Sequence, residues 1–284
     1  MTPEEALELI NASEHTSYSL NAQYSGGEDH GAYRVVSIDG TRAVLKVNSN
    51  PQWIRQVERA KATTAHLAGL GYPVPKYLVT GSTDRGTYSL QSELPGMGVE
   101  PTPQAVTSLL HFIDLQRNQA ISEVQGQDWV WYLMDVVFRG EWGLVRALMQ
   151  FSADSSVLVT DIENLVLGLQ GKMLPKTDLV HGDMGFTQVL LQNGAVSGVL
   201  DWNQAGYGDV TQDLMSLWYS LLGYADSRDL VLQQALQQSD REAVRIHAAY
   251  KMLADVSWHI NKPGGDAVSA IARARIAIGL IRQT

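Results

Sequence analysis

The sequence has no cysteine and few positive charges for its length. Without cysteine the chain forms neither disulfide bonds nor thiolate metal sites, so its folding does not depend on the redox state of its surroundings. Lysine and arginine number 21 against 30 acidic residues, a formal net charge of −9. Because no basic run could follow a phosphate backbone, we expect no nucleic-acid partner. The acidic balance suits a cationic ligand, although acidity also serves solubility alone.

Long apolar runs are absent as well. No stretch approaches the roughly 20 apolar residues that span a bilayer, and the first residues, MTPEEALELINAS, lack the positive end and apolar run of a secretory signal. We therefore expect a cytoplasmic protein without a membrane partner. With 45% hydrophobic and 18% charged residues in a chain of 284, the composition is that of a folded protein. The length is sufficient for two lobes that share a cleft.

The spacing of apolar residues predicts a strand-rich N-terminal unit, which we assign to residues 1–93. It begins with a helix that has Thr2 as its N-cap. Turn signals and alternating residues then predict three antiparallel strands, a helix with a period near 3.6 residues, and two further strands. The predicted ranges are 3–12 for the first helix, 18–24, 32–38 and 42–47 for the strands, 51–70 for the second helix, and 77–80 and 87–94 for the last strands.

The remainder, residues 94–284, is predicted to be mainly helical, which makes the protein α+β. Helical spacing covers residues 103–121, 129–151, 157–169, 209–222, 226–238, 241–254 and 267–282. The exception lies within residues 179–202, where two short strands, 189–192 and 195–200, flank an Asn193-Gly194 turn. The sequence therefore predicts an island of strand inside the helical part.

Two aspartates stand at the ends of apolar segments in this island. Asp183 ends the run Leu-Val-His-Gly-Asp, and Asp201 ends the run Gly-Val-Leu-Asp after the hairpin. A single aspartate after a strand is most often a turn or cap residue. Two carboxylates joined through a hairpin are suited to phosphoryl transfer, in which one orients or deprotonates an attacking hydroxyl and the other holds Mg²⁺ against nucleotide phosphates.

The segment HGD-x4-Q-VLL-x6-GVLDW-x2-A-x2-GD-x3-DL resembles the core of the aminoglycoside phosphotransferase and choline kinase-like family. The resemblance implies a two-lobed protein-kinase-like fold that binds ATP and Mg²⁺, with Asp183 as catalytic base and Asp201 as a metal ligand. The family carries Asn as a second metal ligand at the position of Gln188. Gln keeps the carbonyl oxygen but is one methylene longer, so metal binding by Gln188 requires a shifted metal, a shifted loop or an intervening water.

The elements upstream match the family in order. Lys46, in the third predicted strand, stands where the family has a lysine that contacts the α and β phosphates. Glu58, on the following helix, stands where the family has an acid that orients this lysine. Ser92, Glu93 and Leu94 occupy the position of the linker whose backbone reads the adenine edge. From the residues alone, Lys46 also fits an exposed strand and Glu58 a surface helix position beside basic neighbours.

The glycine-rich segment Ser25-Gly26-Gly27-Glu28-Asp29-His30-Gly31 falls between the first two strands, where kinase-like folds place a loop over the nucleotide. Glycine allows a close backbone approach to phosphate, but this segment has no G-x-G-x-x-G pattern and contains two acids. We therefore expect a flap of weak specificity.

Further residues are expected to support the site. The resemblance makes His181 a brace for the backbone around the metal-binding aspartate. Asp209 and Asp213 are expected to cap and start the next helix and to steady the loop that carries Asp201. The acceptor pocket is expected in the helical part, among acids and aromatics that are equally suited to core packing. These residues are Asp128, Trp129, Trp131, Tyr132, Asp135, Glu141, Trp142, Trp258 and His259.

The sequence thus predicts an ATP- and Mg²⁺-dependent kinase of a small-molecule hydroxyl group. On the resemblance and the acidic charge, the expected acceptor is an aminoglycoside or a related amino-sugar antibiotic. Choline, a sugar, an amino alcohol or a macrolide is an alternative acceptor. A nucleotide-binding pseudokinase is a second alternative, favoured by Gln188 and the irregular glycine segment. A protein kinase is disfavoured because the short tract after Asp201-Trp202 has no room for a regulatory activation segment.

Overall fold

A computed structural model describes residues 1–24, 31–124, 126–140 and 143–284 of the chain. The chain divides into two compact units. The first, which we call the strand unit, comprises Met1–Gly98 and Val189–Ala205; the second, the helical unit, comprises Val99–Gln188 and Gly206–Thr284. The segment Val189–Ala205 therefore folds with the N-terminal part, whereas the prediction assigns it to the second lobe. The lobe limits 1–93 and 94–284 stay a prediction.

An antiparallel sheet forms the centre of the strand unit, and its described strands have the order β1-β2-β3-β5-β4. On β3 the side chains alternate, because Ala43 and Leu45 are buried while Val44 and Lys46 on the other face are half-buried. Lys46 lies opposite Ser89 of β5. The predicted strands are confirmed with small shifts at their ends: β1 (Ser19–Gln23), β2 (Ala32–Val36), β3 (Arg42–Asn48), β4 (Tyr77–Thr83) and β5 (Gly86–Ser92).

Two helices complete the N-terminal part of this unit. α1 (Pro3–Glu14) begins with a capping box, in which Thr2 Oγ1 accepts from the N–H of Glu5 at 3.2 Å and the Glu5 carboxylate accepts from the N–H of Thr2 at 2.9 Å. Its apolar face joins the core of the sheet. α2 (Ile54–Gly69) follows a 3₁₀ turn over Pro51–Trp53, so the predicted helix 51–70 is confirmed. The core cluster consists of Ala6, Leu7, Ile10, Val35, Ala43, Leu45 and Leu90.

A hairpin of β7 (Val189–Gln192) and β8 (Ala195–Val199) also belongs to the strand unit. Its turn is the predicted Asn193-Gly194, and both residues have the positive φ, 53° and 78°, that a two-residue hairpin turn of this kind requires. Backbone hydrogen bonds between Leu191 and Met97 (2.9 and 3.1 Å) and from Val199 N–H to Pro73 O (2.8 Å) fix the hairpin within the unit. These bonds hold in place the residues that follow β8.

In its described residues the helical unit contains helices and one small strand pair. β6 (Asp178–Val180) pairs antiparallel with β9 (Gly206–Gly208), a strand that the sequence does not predict. The predicted helix 103–121 ends early, at Asp114, and the predicted helix 129–151 is two helices, because Gly140 (φ 65°) and Gly143 (φ 76°) adopt left-handed backbone between them. The helices are α3 (Pro103–Asp114), α4 (Trp129–Arg139), α5 (Leu144–Phe151), α6 (Ala153–Leu165), α7 (Thr211–Ser220), α8 (Ala225–Gln238), α9 (Arg241–Asn261) and α10 (Ala267–Ile281).

The helix α9 passes through the core of this unit, packed against α4, α5, α7 and α10. Val244, Ala248, Leu253 and Val256 are buried along it. The predicted helix ends at residue 254, and the real helix continues to Asn261. Across the four described stretches of the chain, no helix combines the length and the hydropathy needed to cross a membrane.

Candidate active site

Asp201 ends the hairpin of the strand unit in an unusual backbone conformation. Its φ of 65° and ψ of 57° lie in the left-handed region, which costs free energy for a residue with a side chain and which aspartate tolerates better than most. The next residue anchors the turn, because Trp202 is fully buried, donates from Nε1 to Val199 O at 3.0 Å and meets the Tyr72 ring edge-on at 5.4 Å. Strain of this kind, held in place by packing, is typical of functional positions.

Lys46 lies beside Asp201. Its Nζ is 3.2 Å from Asp201 Oδ1, and the two side chains are 24% and 43% exposed. The residues are 155 positions apart in sequence and meet because both β3 and the hairpin belong to the strand unit. The structure therefore brings together the lysine and one of the two aspartates on which the predicted chemistry depends.

Asn203 is a residue of this cluster that the sequence analysis misses. It is buried, and its Nδ2 donates to Asp201 Oδ1 at 3.0 Å. The same oxygen thus accepts from Lys46 and from Asn203, which leaves little freedom to the carboxylate. Asn203 also lines a small pocket with Lys46, Trp53 and Thr87. An amide two residues after the aspartate is the sequence signal that could have revealed it.

Glu58 does not make the predicted contact. Its carboxylate accepts from Thr80 Oγ1 at 2.6 Å and lies 3.8 Å from Lys61 Nζ, and among the described residues Asp201 is the acid beside Lys46. The reason is helical geometry. Val57 is buried and lines the pocket of Lys46, and a step of one residue rotates a side chain by about 100° around the helix axis, which turns Glu58 away.

The linker residues have structural partners of their own. The N–H of Ser92 donates to Lys76 O at 2.8 Å and is therefore not available to an adenine ring. Glu93 lies in an ionic network, with Oε1 2.7 Å from Arg34 Nε and 2.5 Å from the Tyr24 hydroxyl. Burial of Glu93 favours the neutral acid, but the hydrogen bonds from Tyr24 and Arg34 outweigh it and lower its pKa. Leu94 follows β5, and its adenine contact stays a prediction.

Asp183 lies in the helical unit, at the end of the loop after β6. Gly182 adopts φ 86° just before it, which a residue with a side chain rarely does. The Asp183 N–H donates to Nδ1 of the fully buried His181 at 3.3 Å, so His181 braces the backbone of Asp183 itself. The Asp183 carboxylate is 59% exposed. A fixed backbone with an accessible carboxylate suits a group that must reach a bound molecule.

Asp213, in the first turn of α7, holds this loop. One of its oxygens accepts from the N–H of His181 at 2.7 Å and from Gln116 Nε2 at 2.7 Å, and the other accepts from the N–H of Gly182 at 3.0 Å. Burial raises the pKa of Asp213, against the attraction of His181 and these hydrogen bonds. The prediction that Asp213 steadies the loop of Asp201 is therefore corrected, because its bonds go to the loop of Asp183.

Asp209 binds the N–H of the first residue of α7, although the N-cap residue of this helix is Val210. Its Oδ1 accepts from the N–H of Thr211 at 2.8 Å, at the start of α7, and its Oδ2 lies 3.3 Å from His247 Nε2. Burial opposes the ionisation of Asp209, but His247 and Thr211 outweigh it and lower its pKa. His247, whose Nδ1 is 3.1 Å from Gln212 Oε1, thereby ties α9 to α7.

Lys251 is a second residue that sequence reasoning misses. It projects from α9, and its Nζ lies 3.4 Å from Asp183 Oδ1. The preceding Tyr250 packs edge-on against Trp129 and Tyr132, with ring centroids 6.0 and 5.8 Å apart. Burial, together with Tyr132 and the charge of Asp183, raises the pKa of Tyr250 well above its ordinary value. No local signal in the sequence links Lys251 to Asp183, 68 positions away.

Gln188 ends a 3₁₀ turn that begins at Phe186. Its N–H donates to Gly185 O at 3.0 Å, and its side chain is half-buried. Within the described residues the Gln188 amide makes no side-chain hydrogen bond, so its carbonyl oxygen is available to a ligand. Its role as a metal ligand stays a prediction.

Most of the residues expected around the acceptor have structural roles. Asp128 caps α4, with Oδ1 accepting from the N–H of Trp131 at 2.9 Å. Trp129 and Asp135 are buried, Asp135 next to Arg139 at 2.9 Å, and Trp258 lies under Lys262 with the ammonium 4.1 Å from its ring centroid. Core packing is therefore the better interpretation of Trp129. Glu141, Trp142 and the glycine-rich residues 25–30 lie outside the described residues.

The chain is similar to known proteins in both sequence and fold. The model of the phosphotransferase enzyme family matches residues 22–253. The chain is similar to the aminoglycoside 3'-phosphotransferase of Niallia circulans, with 31% identity over 238 residues that cover 80% of this chain and 86% of the relative.

Solved structures with a similar fold include two kinases with bound ligands. One is a thermostable mutant of the aminoglycoside phosphotransferase APH(4)-Ia in a ternary complex with ADP and hygromycin B, with a TM-score of 0.72, 18% identity, and coverage of 96% of this chain and 97% of that one. The other is the amicoumacin kinase hAmiN in complex with AMP-PNP, Ca²⁺ and Ami, with a TM-score of 0.67, 14% identity, and coverage of 100% and 94%.

The two-lobed protein-kinase-like fold is therefore confirmed, as is the predicted family. A match over most of the chain, both to the family model and to an aminoglycoside 3'-phosphotransferase, shows that this protein belongs to the phosphotransferase enzyme family and is a kinase that acts on hydroxyl groups of small molecules.

Proposed function

We propose that the protein transfers the γ-phosphoryl group of ATP to a hydroxyl group of an aminoglycoside or a related amino-sugar antibiotic. The observation that carries this proposal is the cluster of Lys46, Asp201 and Asn203 in the strand unit, with one carboxylate oxygen held by an ammonium and an amide at 3.2 and 3.0 Å. A cation and a fixed carboxylate are the groups that ATP phosphates and their metal require.

Lys46 has the role of phosphate ligand in this proposal. Its ammonium is half-buried on β3 and already faces a carboxylate, so it sits where negative charge is stabilised. A single lysine binds phosphate as a point charge, without the planar geometry of arginine. Neutralisation of the α and β phosphates by Lys46 lowers the cost of bringing a highly charged nucleotide close to Asp201.

Mg²⁺ is the metal that the family implies, and the donor chemistry of the chain fits it. In phosphoryl-transfer sites Mg²⁺ takes one or two carboxylates from the protein and completes its shell with phosphate oxygens and water. Asp201 offers such a carboxylate, and Gln188 offers an amide oxygen. Among the described residues no cluster of three or more His, Asp or Glu could form an all-protein cage. The bound ion would neutralise charge on the nucleotide phosphates.

Asp183 has the role of catalytic base. Its carboxylate is exposed enough to receive the acceptor hydroxyl, and the backbone below it is fixed by His181 and Asp213. In this class of reaction positioning and charge neutralisation supply most of the acceleration. Asp183 therefore needs to align the hydroxyl and take up its proton, while the loop needs to keep that alignment.

The acceptor class is supported by the similarity to an aminoglycoside 3'-phosphotransferase and by the charge of the chain. The relative is 31% identical over 80% of this chain, and a formal charge of −9 attracts a polycationic molecule from a distance. The structure solved with ADP and hygromycin B has a similar fold. Kanamycin-type antibiotics and hygromycin B are therefore the first acceptors to assay.

The test is a coupled ADP-release assay with ATP and Mg²⁺ on kanamycin, hygromycin B, choline, a macrolide and glucose as the uncharged control. We expect turnover with at least one aminoglycoside, with the phosphorylated product seen by mass spectrometry. Asp183→Asn should lower kcat by roughly 10²- to 10⁴-fold, whereas Asp226→Asn, at an exposed position of α8, should not change it. ATP-dependent thermal stabilisation without transfer to any aminoglycoside would overturn the proposal.

A further inference from the structure

The positive charge of Lys251 next to Asp183 distinguishes this site from a purely acidic one. The Lys251 Nζ lies 3.4 Å from Asp183 Oδ1, and the lysine side chain is only 21% exposed. Most of its stem is therefore packed, and the ammonium is held at the catalytic loop. A long lysine side chain in water would lose conformational entropy to make such a contact, but a buried stem has lost it already on folding.

The helix that carries Lys251 is fixed on both sides of it. One turn before, the buried His247 ties α9 to Asp209 and Gln212 of the segment that starts α7. One turn after, Asp255 accepts from the Tyr219 hydroxyl of α7 at 3.0 Å and from Arg273 of α10 at 3.0 Å. The position of the ammonium is thus set by the fold of the helical unit.

Lys251 is paired with Asp183, and the other nearby acid on the same helix is paired elsewhere. Asp255, the other nearby acid on α9, is engaged by Arg273 at 3.0 Å and lies 3.9 Å from His259 Nε2. Within the described residues Asp183 is the carboxylate that Lys251 contacts. An acceptor that brings its hydroxyl to Asp183 must therefore approach the ammonium of Lys251 as well.

We infer that Lys251 determines acceptor specificity by disfavouring molecules that carry an ammonium group next to the hydroxyl that is phosphorylated. The inference rests on the proposed role of Asp183 as base. A hydroxyl that donates to Asp183 lies about 2.7 Å from its oxygen, so that hydroxyl comes within roughly 6 Å of Lys251 Nζ, and a group on the adjacent carbon within roughly 9 Å. At this separation and an effective dielectric of about 20, two positive charges repel enough to lower affinity by roughly tenfold to a hundredfold.

The consequence for an aminoglycoside is a defined orientation. The net charge of −9 attracts its ammonium groups to the protein as a whole, while Lys251 keeps them away from the reacting carbon. The preferred hydroxyl is then one flanked by other hydroxyls or by ether oxygens. Acceptor choice is set by where the amines lie on the molecule, in addition to their number.

The test compares hygromycin B and kanamycin with their N-acetylated forms, which keep the hydroxyls and lose the charge. The measured quantity is kcat/KM for the ammonium form divided by kcat/KM for the acetylated form. Lys251→Met should raise this ratio by about tenfold or more. Lys251→Arg, which keeps the charge, should leave it near the wild-type value. Arg241→Met should do the same, because it removes one exposed charge from the same helix about 15 Å away.

An unchanged ratio in Lys251→Met would overturn the inference. If kcat/KM also fell by the same factor for both forms, Lys251 would be a residue that only positions Asp183. Failure of the proposed function is separate, because it shows as no transfer to any aminoglycoside or as turnover that survives Asp183→Asn. If Asp183→Asn loses turnover but Lys251→Met leaves the ratio unchanged, only the specificity role of Lys251 is ruled out.

Discussion

The two aspartates of the proposed site are held in different ways. In the strand unit, Asp201 is fixed through its side chain, since its Oδ1 accepts from both Lys46 and Asn203, and its backbone is confined to the left-handed region. In the helical unit, Asp183 is fixed through its backbone, since His181 binds its N–H and Asp213 binds the two residues before it.

The difference follows from what each carboxylate would bind. A metal bound to nucleotide phosphates has nearly the same geometry in every turnover, so a carboxylate fixed at its oxygen atoms suits it. An acceptor hydroxyl varies in approach, so an exposed carboxylate on a rigid loop, here 59% exposed, suits it better. The side chain is therefore the fixed part of Asp201, and the backbone is the fixed part of Asp183.

The largest expected effect is the loss of charge at Asp201. Asn in its place tolerates the left-handed backbone and keeps the shape of the side chain, so Asp201→Asn should fold normally. Without the carboxylate charge, kcat should fall by roughly 10³-fold, a size typical of removing a group that stabilises charge in the transition state. Steady-state ADP release and thermal unfolding of the purified variant check both parts. A variant with wild-type turnover would contradict the metal-ligand role.

The second effect concerns the backbone support of Asp183. Asp213→Ala removes the acceptor that the buried N–H groups of His181 and Gly182 use, and one of the two acceptors of the Gln116 amide, which still donates to Leu179 O at 3.0 Å. We expect a loss of about 3 kcal/mol in the free energy of unfolding, since each buried unsatisfied group costs on the order of 1 kcal/mol or more. Urea denaturation followed by tryptophan fluorescence measures it. Asp226→Ala, at an exposed site, is the control and should change stability little.

A third comparison separates Asn203 from Glu58. Asn203 lies near Lys46 in the structure, whereas Glu58 is the residue that the family order pairs with Lys46. Asn203→Ala removes a hydrogen bond to a charged group and should lower kcat/KM for ATP by about tenfold. Glu58→Gln should change it by less than about twofold, because an exposed ion pair such as Glu58 with Lys61 contributes little. If the two variants behaved in the opposite way, the family pairing of lysine and glutamate would exist in solution.

The smallest effect is a pH dependence at Glu93. Its folded pKa is lowered from 4.5, so its charged form stabilises the fold above the unfolded pKa, and this contribution is lost as the pH falls through the lowered value. Wild type should therefore lose on the order of 1 kcal/mol more than Glu93→Gln between about pH 6 and pH 3. Thermal melts of both proteins across this range test it, and parallel curves would rule it out.

The fold was largely accessible from sequence because its signals are local. The capping box at Thr2, the Asn193-Gly194 turn and the alternation on β3 each require only a few neighbouring residues. β9 was missed because three residues, Gly206–Gly208, carry no period and form a strand only through pairing with β6. The break in residues 129–151 depends on positive φ at two glycines, and glycine allows this conformation without requiring it.

The site was accessible only where the family order could be followed. Lys46 and Asp201 are 155 residues apart, and no spacing rule predicts their contact. Lys251 and Asn203 have no position in the resemblance, and they come to Asp183 and Asp201 through the packing of α9 and the turn after β8. Glu58 shows the limit of the family order, because its carboxylate in this structure lies beside Thr80 and Lys61, one residue away from the buried face of α2.

The division of the strand unit between two stretches of chain affects how the protein is made. Val189–Ala205 completes a unit whose other part ends at Gly98, so during synthesis the first part waits for about 90 further residues, or roughly 5 to 20 s at the usual rates of translation. Until then β3 already carries its lysine without the acid that balances it. A ribosome stalled before residue 189 would therefore hold an incomplete nascent domain, open to chaperones and proteases.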